Sequence, residues 1–79
     1  MGFIWTKQNT AHIARHSIEP WFAEKIFREG SSVTRTDVEF RYFVEATIRG
    51  KHYKLVFAVD PEGANIYPIT AYQIKKRTI

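Results

Sequence analysis

A chain of 79 residues, 44% hydrophobic and 15% aromatic, suits one compact domain near the lower size limit for an unstapled core and leaves no room for a second. The absence of cysteine excludes a disulfide framework, a thiolate metal site and a cysteine nucleophile. The net charge of +4 is unevenly placed: six basic and six acidic groups cancel over residues 1–48, and the whole excess comes from residues 49–79, a positive surface suited to a polyanion.

The apolar run Phe3-Ile4-Trp5 reads as an opening strand, and Thr6 behind it can cap a helix starting at Lys7. Between Lys7 and His16 the apolar positions are Ala11, Ile13 and Ala14, a stripe so narrow that the helix needs a partner. Pro20 suits the first position of a second helix, with Glu19 as its cap. There Phe22, Ile26, Ala23 and Phe27 share one side, Glu24, Lys25, Arg28 and Glu29 face away, and Gly30 is the expected stop. Ser32-Val33-Thr34 is a candidate short edge strand.

From Arg41 to Ala71 the sequence predicts three strands. Arg49-Gly50 separates two β-favouring runs and suits a two-residue hairpin. That turn sets Ile48 against Lys51, Ala46 against Tyr53, Val44 against Leu55 and Tyr42 against Phe57, which makes one face almost wholly apolar. The other face pairs Thr47 with His52, Glu45 with Lys54 and Phe43 with Val56, and Glu45 with Lys54 is a cross-strand charge pair. After the turn Asp60-Pro61-Glu62-Gly63-Ala64, a third strand runs from Asn65 to Thr70 and must be an edge or carry a bulge at Pro68, which has no N–H for a ladder. Tyr72 to Arg77 reads as a short helical or frayed tail. The fold class is therefore α+β, two N-terminal helices packed on an antiparallel meander with a short C-terminal helix or tail.

His12 and His16 are four apart, as metal-binding histidines on one helix face would be, yet the position after His12 is Ile13 rather than a general-base glutamate, and only His52 remains as a third imidazole. No metal or cofactor is expected. No glycine-rich phosphate loop, nucleophile elbow or paired-carboxylate pattern occurs. The N-terminus lacks the basic and long apolar segments of a signal peptide, and the run Leu55 to Val59 is too short for a membrane span. A soluble, cytoplasmic protein is expected. The mixed face collects cations, a carboxylate, an imidazole and an aromatic, a set able to bind phosphate, stack a base and move a proton without metal.

The motif NTAHIARHSIEPWFA, through Asn9, His12, Arg15, His16, Pro20 and Ala23, resembles the helical region of the BrnT family of toxin-antitoxin ribonucleases. Arg41, the Gly50-Lys51 turn, Leu55-Val56-Phe57 and Ile69-Thr70-Ala71 carry the likeness through the strands. The resemblance implies a RelE-like fold and metal-independent cleavage of RNA, in which the ribose 2′-hydroxyl attacks its neighbouring phosphate. It also implies a ribbon-helix-helix antitoxin encoded alongside as partner. Arg41 and Lys51 match basic positions of the family pattern, and His16 matches its histidine after the first helix. Tyr67 and Tyr72 stand where the family pattern carries arginines, so the alternative is a catalytically inactive RNA- or protein-binding module. The candidate catalytic residues are Arg41, Glu45, His52, Tyr67 and Tyr72, and the candidate RNA-binding residues are Lys51, Lys54, Arg15, His16, Lys75 and Lys76.

Overall fold

The computed structural model describes residues 2–75. In chain order the elements are β1 (Gly2–Phe3), α1 (Lys7–Ala14), α2 (Pro20–Glu29), β2 (Val33–Arg35), β3 (Arg41–Ile48), β4 (Lys51–Val59) and β5 (Asn65–Ile74). The strands form one sheet in the order β1-β5-β4-β3-β2. All pairings are antiparallel except β1 with β5, so the sheet is mixed where the sequence implied a purely antiparallel one. A two-residue strand has no alternation to read, and this pairing depends on where β5 comes to rest.

Local chemistry sets the helix starts. Thr6 caps α1 through a reciprocal box with Asn9, which satisfies two otherwise orphaned N–H groups. Pro20 opens α2, while Glu19 makes no side-chain cap bond. Gly30 ends α2 for a different reason from the one its residue type suggests. Its φ is −66°, an ordinary value, but a Cβ there would collide with Val44 Cγ2. It is close approach of helix end to sheet that requires glycine, not a left-handed cap.

The β3–β4 hairpin has the expected register from Ile48 opposite Lys51 to Tyr42 opposite Phe57. Arg49 and Gly50 turn it with φ of 52° and 77°, the double positive φ of a type I′ turn. β2 is the outer strand beside β3, with all three residues exposed. β5 extends beyond the expected end at Thr70: Tyr72, Gln73 and Ile74 pair with Lys54, Tyr53 and His52, so the helical tail expected from Tyr72 is strand as far as Ile74. A register shift places Val56 opposite Thr70 and Phe57 opposite Pro68, leaving Ile69 as the extra residue of a bulge. That one-residue insertion keeps Ile66, Pro68 and Ala71 all buried despite their spacing of two and then three.

Both helices cover one face of the sheet. Ile13, Ile18, Ile26, Val44, Leu55 and Ile66 are at most 5% exposed and form the centre of the core. At its margin Phe3, Phe27, Phe57 and Tyr42 follow one another at centroid distances of 5.4, 5.4 and 6.0 Å, and Phe22 meets Tyr53 edge to face at 4.8 Å. Tyr42, Tyr53 and Phe57 thus pack inward, as the register predicts. Trp5 Nε1 donates to Glu24 Oε2 at 2.8 Å, fixing the segment after β1 to α2. Among the described residues no helix is long and apolar enough to cross a membrane.

Candidate active site

The helices leave the opposite sheet face uncovered, and the ladder register assigns its occupants row by row. Residues paired side by side in a sheet share a face. One row is Thr47, His52 and Ile74; the next is Glu45, Lys54 and Tyr72; then come Phe43, Val56 and Thr70; the last is Arg41, Ala58 and Tyr67. Arg41, Glu45, His52, Lys54, Tyr67 and Tyr72 are therefore gathered on one face. They are not one cluster: Arg41 and Glu45 are four residues apart on β3, about 13 Å at the strand rise. Glu45, His52, Lys54 and Tyr72 form one end of the face, and Arg41 with Tyr67 the other.

At the first end Thr47 Oγ1 and His52 Nδ1 are hydrogen-bonded at 2.9 Å. This contact fixes the imidazole plane and leaves Nε2 as the nitrogen for proton exchange. Glu45 and Lys54 face each other as the sequence predicts, yet their charges are not ion-paired. Lys54 Nζ instead lies 4.2 Å over the Phe43 ring one row away. A cation over an exposed ring gains about 0.5–1 kcal/mol, as much as a surface ion pair gives. The Glu45 side chain is exposed and makes no ion pair among the described residues, so its carboxylate is accessible as a proton acceptor. Glu45, Thr47 and His52 also line a cleft with Glu29 and Ser31.

The two tyrosines have contacts of their own. Tyr67 Oη is 3.5 Å from Thr6 Oγ1 at the start of α1, and the Tyr72 ring lies 5.7 Å from that of His16. Arg41 is half-buried, and its Nε is shielded from solvent without a hydrogen-bond partner among the described residues.

The remaining candidates lie elsewhere. α1 ends at Ala14, with Arg15 as its C-cap and His16 in the turn beyond, both exposed. Among the described residues no three His, Cys, Asp or Glu side chains converge on a point. Lys51 pairs with Ile48 and so belongs to the helix-bearing face, apart from the Glu45 end. It and Lys75 border a cleft with His52 at the hairpin end of the sheet. Lys76 lies outside the described residues. Thr47 is absent from the candidates, and its place directly across from His52 in the predicted register is the sequence signal for its orienting contact.

No family profile and no curated protein matches the sequence. Among solved structures, the chain superposes on the 1.1 Å crystal structure of the Brucella abortus ribonuclease toxin BrnT with a TM-score of 0.73, covering 96% of this chain and 99% of that one at 16% identity. The chain has the BrnT fold. What the short sequence motifs implied about architecture thus holds over nearly the whole chain, two helices on one face of a sheet. Among the described residues both helices lie on one face of this sheet, and the other carries the Glu45 and Arg41 ends.

Proposed function

We propose that this chain is a toxin-type endoribonuclease that cleaves RNA without a metal ion and is held in check by a ribbon-helix-helix antitoxin encoded beside it. The observation that carries the proposal is the bare sheet face, where His52, Glu45, Lys54 and Tyr72 occupy adjacent rows on the fold of a ribonuclease toxin.

The reaction needs a base to take the 2′-hydroxyl proton, positive charge for the phosphorane oxygens and an acid to protonate the departing 5′-oxygen. Attack forms the O2′–P bond and breaks P–O5′, giving a 2′,3′-cyclic phosphate and a 5′-hydroxyl. Glu45 and His52 are diagonal neighbours, about 7–8 Å apart at their Cα atoms, a spacing that lets a phosphodiester lie between carboxylate and imidazole. Glu45 takes the role of base, His52 that of acid, and Lys54 the role of cation. Tyr72 donates a hydrogen bond, and Arg41 with Tyr67 holds the RNA farther along the face. Arg15, His16, Lys51, Lys75 and Lys76 add phosphate contacts around the rim.

The test is incubation of the purified chain with RNA in excess chelator. Cleavage to cyclic phosphate ends is expected, lost in His52→Ala and Glu45→Gln, together with growth arrest when the chain is expressed without its antitoxin. Intact RNA across a wide pH range and harmless expression would overturn it. The second reading is a catalytically inactive RNA- or protein-binding module, and the observation favouring it is that Tyr67 and Tyr72 are engaged by Thr6 and His16. Under that reading RNA binds intact, with an affinity that falls steeply as salt rises.

A further inference from the structure

The first turn of α2 carries Trp21 with 61% of its surface exposed, although the chain has only two tryptophans and a helix of this amphipathicity could turn such a ring inward. The indole is held in place on its outer side: Nε1 donates to Glu19 Oε2 at 3.2 Å, and the ring meets Phe22 edge to face at 5.5 Å. A cleft beside it is lined by Trp21, Phe22 and Tyr53 together with Lys25, Arg49 and Lys51. Three aromatics and three cations line that cleft without an acidic group, although Lys25 is also 3.6 Å from Glu29 on its own helix.

Arg49 supplies an independent observation. It occupies the first position of the hairpin turn at φ 52°, a left-handed conformation in which asparagine or glycine is the ordinary choice. Its side chain is exposed and makes no hydrogen bond or ion pair among the described residues. Strain borne by an exposed arginine at the lip of an aromatic cleft marks a residue kept for what it binds.

We infer that this cleft is a second RNA-binding site, taking a single-stranded segment with one base stacked on Trp21 and its phosphates on Arg49, Lys51 and Lys25. Exposed aromatics stack on any base, and cations interleaved with them track the backbone. The site lies across the sheet from Glu45 yet is continuous with it around the hairpin end. Lys51 and His52 are consecutive residues on opposite faces, and both border the cleft that also holds Lys75. RNA passing over His52 therefore reaches Trp21 by crossing the edge of the hairpin. The inference rests on the RNA reading given above, and adds to it a site that grips the strand away from the bond being cut.

The test is titration of the full chain with a 2′-O-methyl oligouridylate of about ten nucleotides, which lacks the attacking hydroxyl and so reports binding alone. Quenching of tryptophan fluorescence is expected in the wild type. Trp21→Ala should bind about tenfold more weakly, and Trp21→Phe should regain most of that affinity without the quench. Arg49→Ala should reduce the slope of log affinity against log salt by about 0.7. Unchanged affinity in Trp21→Ala would overturn the second site and leave the RNA reading standing, whereas a wild type that binds no RNA at low salt would remove both. If Trp21→Ala lost only the antitoxin and kept its RNA affinity, the cleft would be a protein interface and the inference would be wrong.

Discussion

The Asn9 side chain donates to the carbonyl of Pro68 at 3.1 Å, joining the first helix to the bulged stretch of the last strand. Asn9 is 3% exposed and is the one buried polar residue among those described. Its Nδ2 also donates to Ile4 O at 3.0 Å, and its Oδ1 accepts from Thr6 N at 2.7 Å. Asn9→Leu should thus lower unfolding free energy by about 3 kcal/mol, since buried groups left unpaired cost about 1–3 kcal/mol each. Asn9→Asp should be worse than its volume suggests, because a carboxylate would face two carbonyl oxygens. Urea denaturation measures both.

At Gly30 the cost is steric. Gly30→Ala has no backbone strain to explain a loss, so its expected destabilisation of about 1–3 kcal/mol comes from overlap with Val44 Cγ2. Val44→Ala in the same chain should recover part of it, and a double-mutant cycle reads the coupling.

In the proposed reaction the hydroxyl of Thr47 acts through His52, whose ring it holds. Thr47→Val keeps the shape of the strand residue and removes the bond to Nδ1. RNA cleavage should fall while RNA affinity stays near that of the wild type, a loss in kcat without one in binding. His52→Ala should reduce the rate about 10²- to 10⁴-fold, the usual scale of lost general acid-base help.

Asp60 fixes the β4–β5 turn. Ala64 N–H donates to its Oδ1 at 2.8 Å and Asn65 Nδ2 to its Oδ2 at 3.1 Å. The Ala64 backbone bond foremost, with help from Asn65 and Gly63, holds its carboxyl below the ordinary 3.8. A depressed folded-state pKa means the contribution is complete above that ordinary value and is lost as pH falls through the lower, folded one. NMR titration of the Asp60 carboxyl should give a midpoint under 3.8, and Asp60→Asn should remove this step from the acid limb of the stability curve.

Arg49→Asn separates stability from binding. Asparagine tolerates the left-handed turn position that costs other residues about 1–2 kcal/mol, so Tm should rise. Affinity for RNA should fall in the same variant. A protein both more stable and weaker in binding is the signature of strain retained for contact.

The parts of this fold that short-range chemistry dictates were legible in the sequence. Thr6 and Pro20 marked helix starts, and the Arg49-Gly50 turn fixed the pairing of Glu45 with Lys54 and Thr47 with His52. What the sequence hid depends on distant partners. Pro68 allowed either an edge or a bulge, and only β4 lying alongside decides for the bulge that restores alternation at Ala71. Gly30 read as a cap because Val44 is not its neighbour in sequence. Lys54 was expected on Glu45, and only the geometry of the face brings Phe43 beneath its ammonium. Helical periodicity ranks faces and is silent on the exposure of Trp21, which depends on how α2 sits against the hairpin.

The parallel pairing of Gly2 and Phe3 with Asn65 and Ile66, and the Asn9 bond to Pro68, join two stretches that lie far apart in the sequence. β5 also lies inside the sheet, between β4 and β1. Phe3 and Trp5 also touch α2, but β1 gains its place in the sheet, and Asn9 of α1 its bond to Pro68, only when β5 is laid down. The Tyr72 that shares a row with Glu45 and Lys54 arrives in the same step. Closure of the sheet around β5 and completion of the Glu45 end of its open face are thereby one event, in which contacts distant in sequence rather than helix formation set the pace of folding.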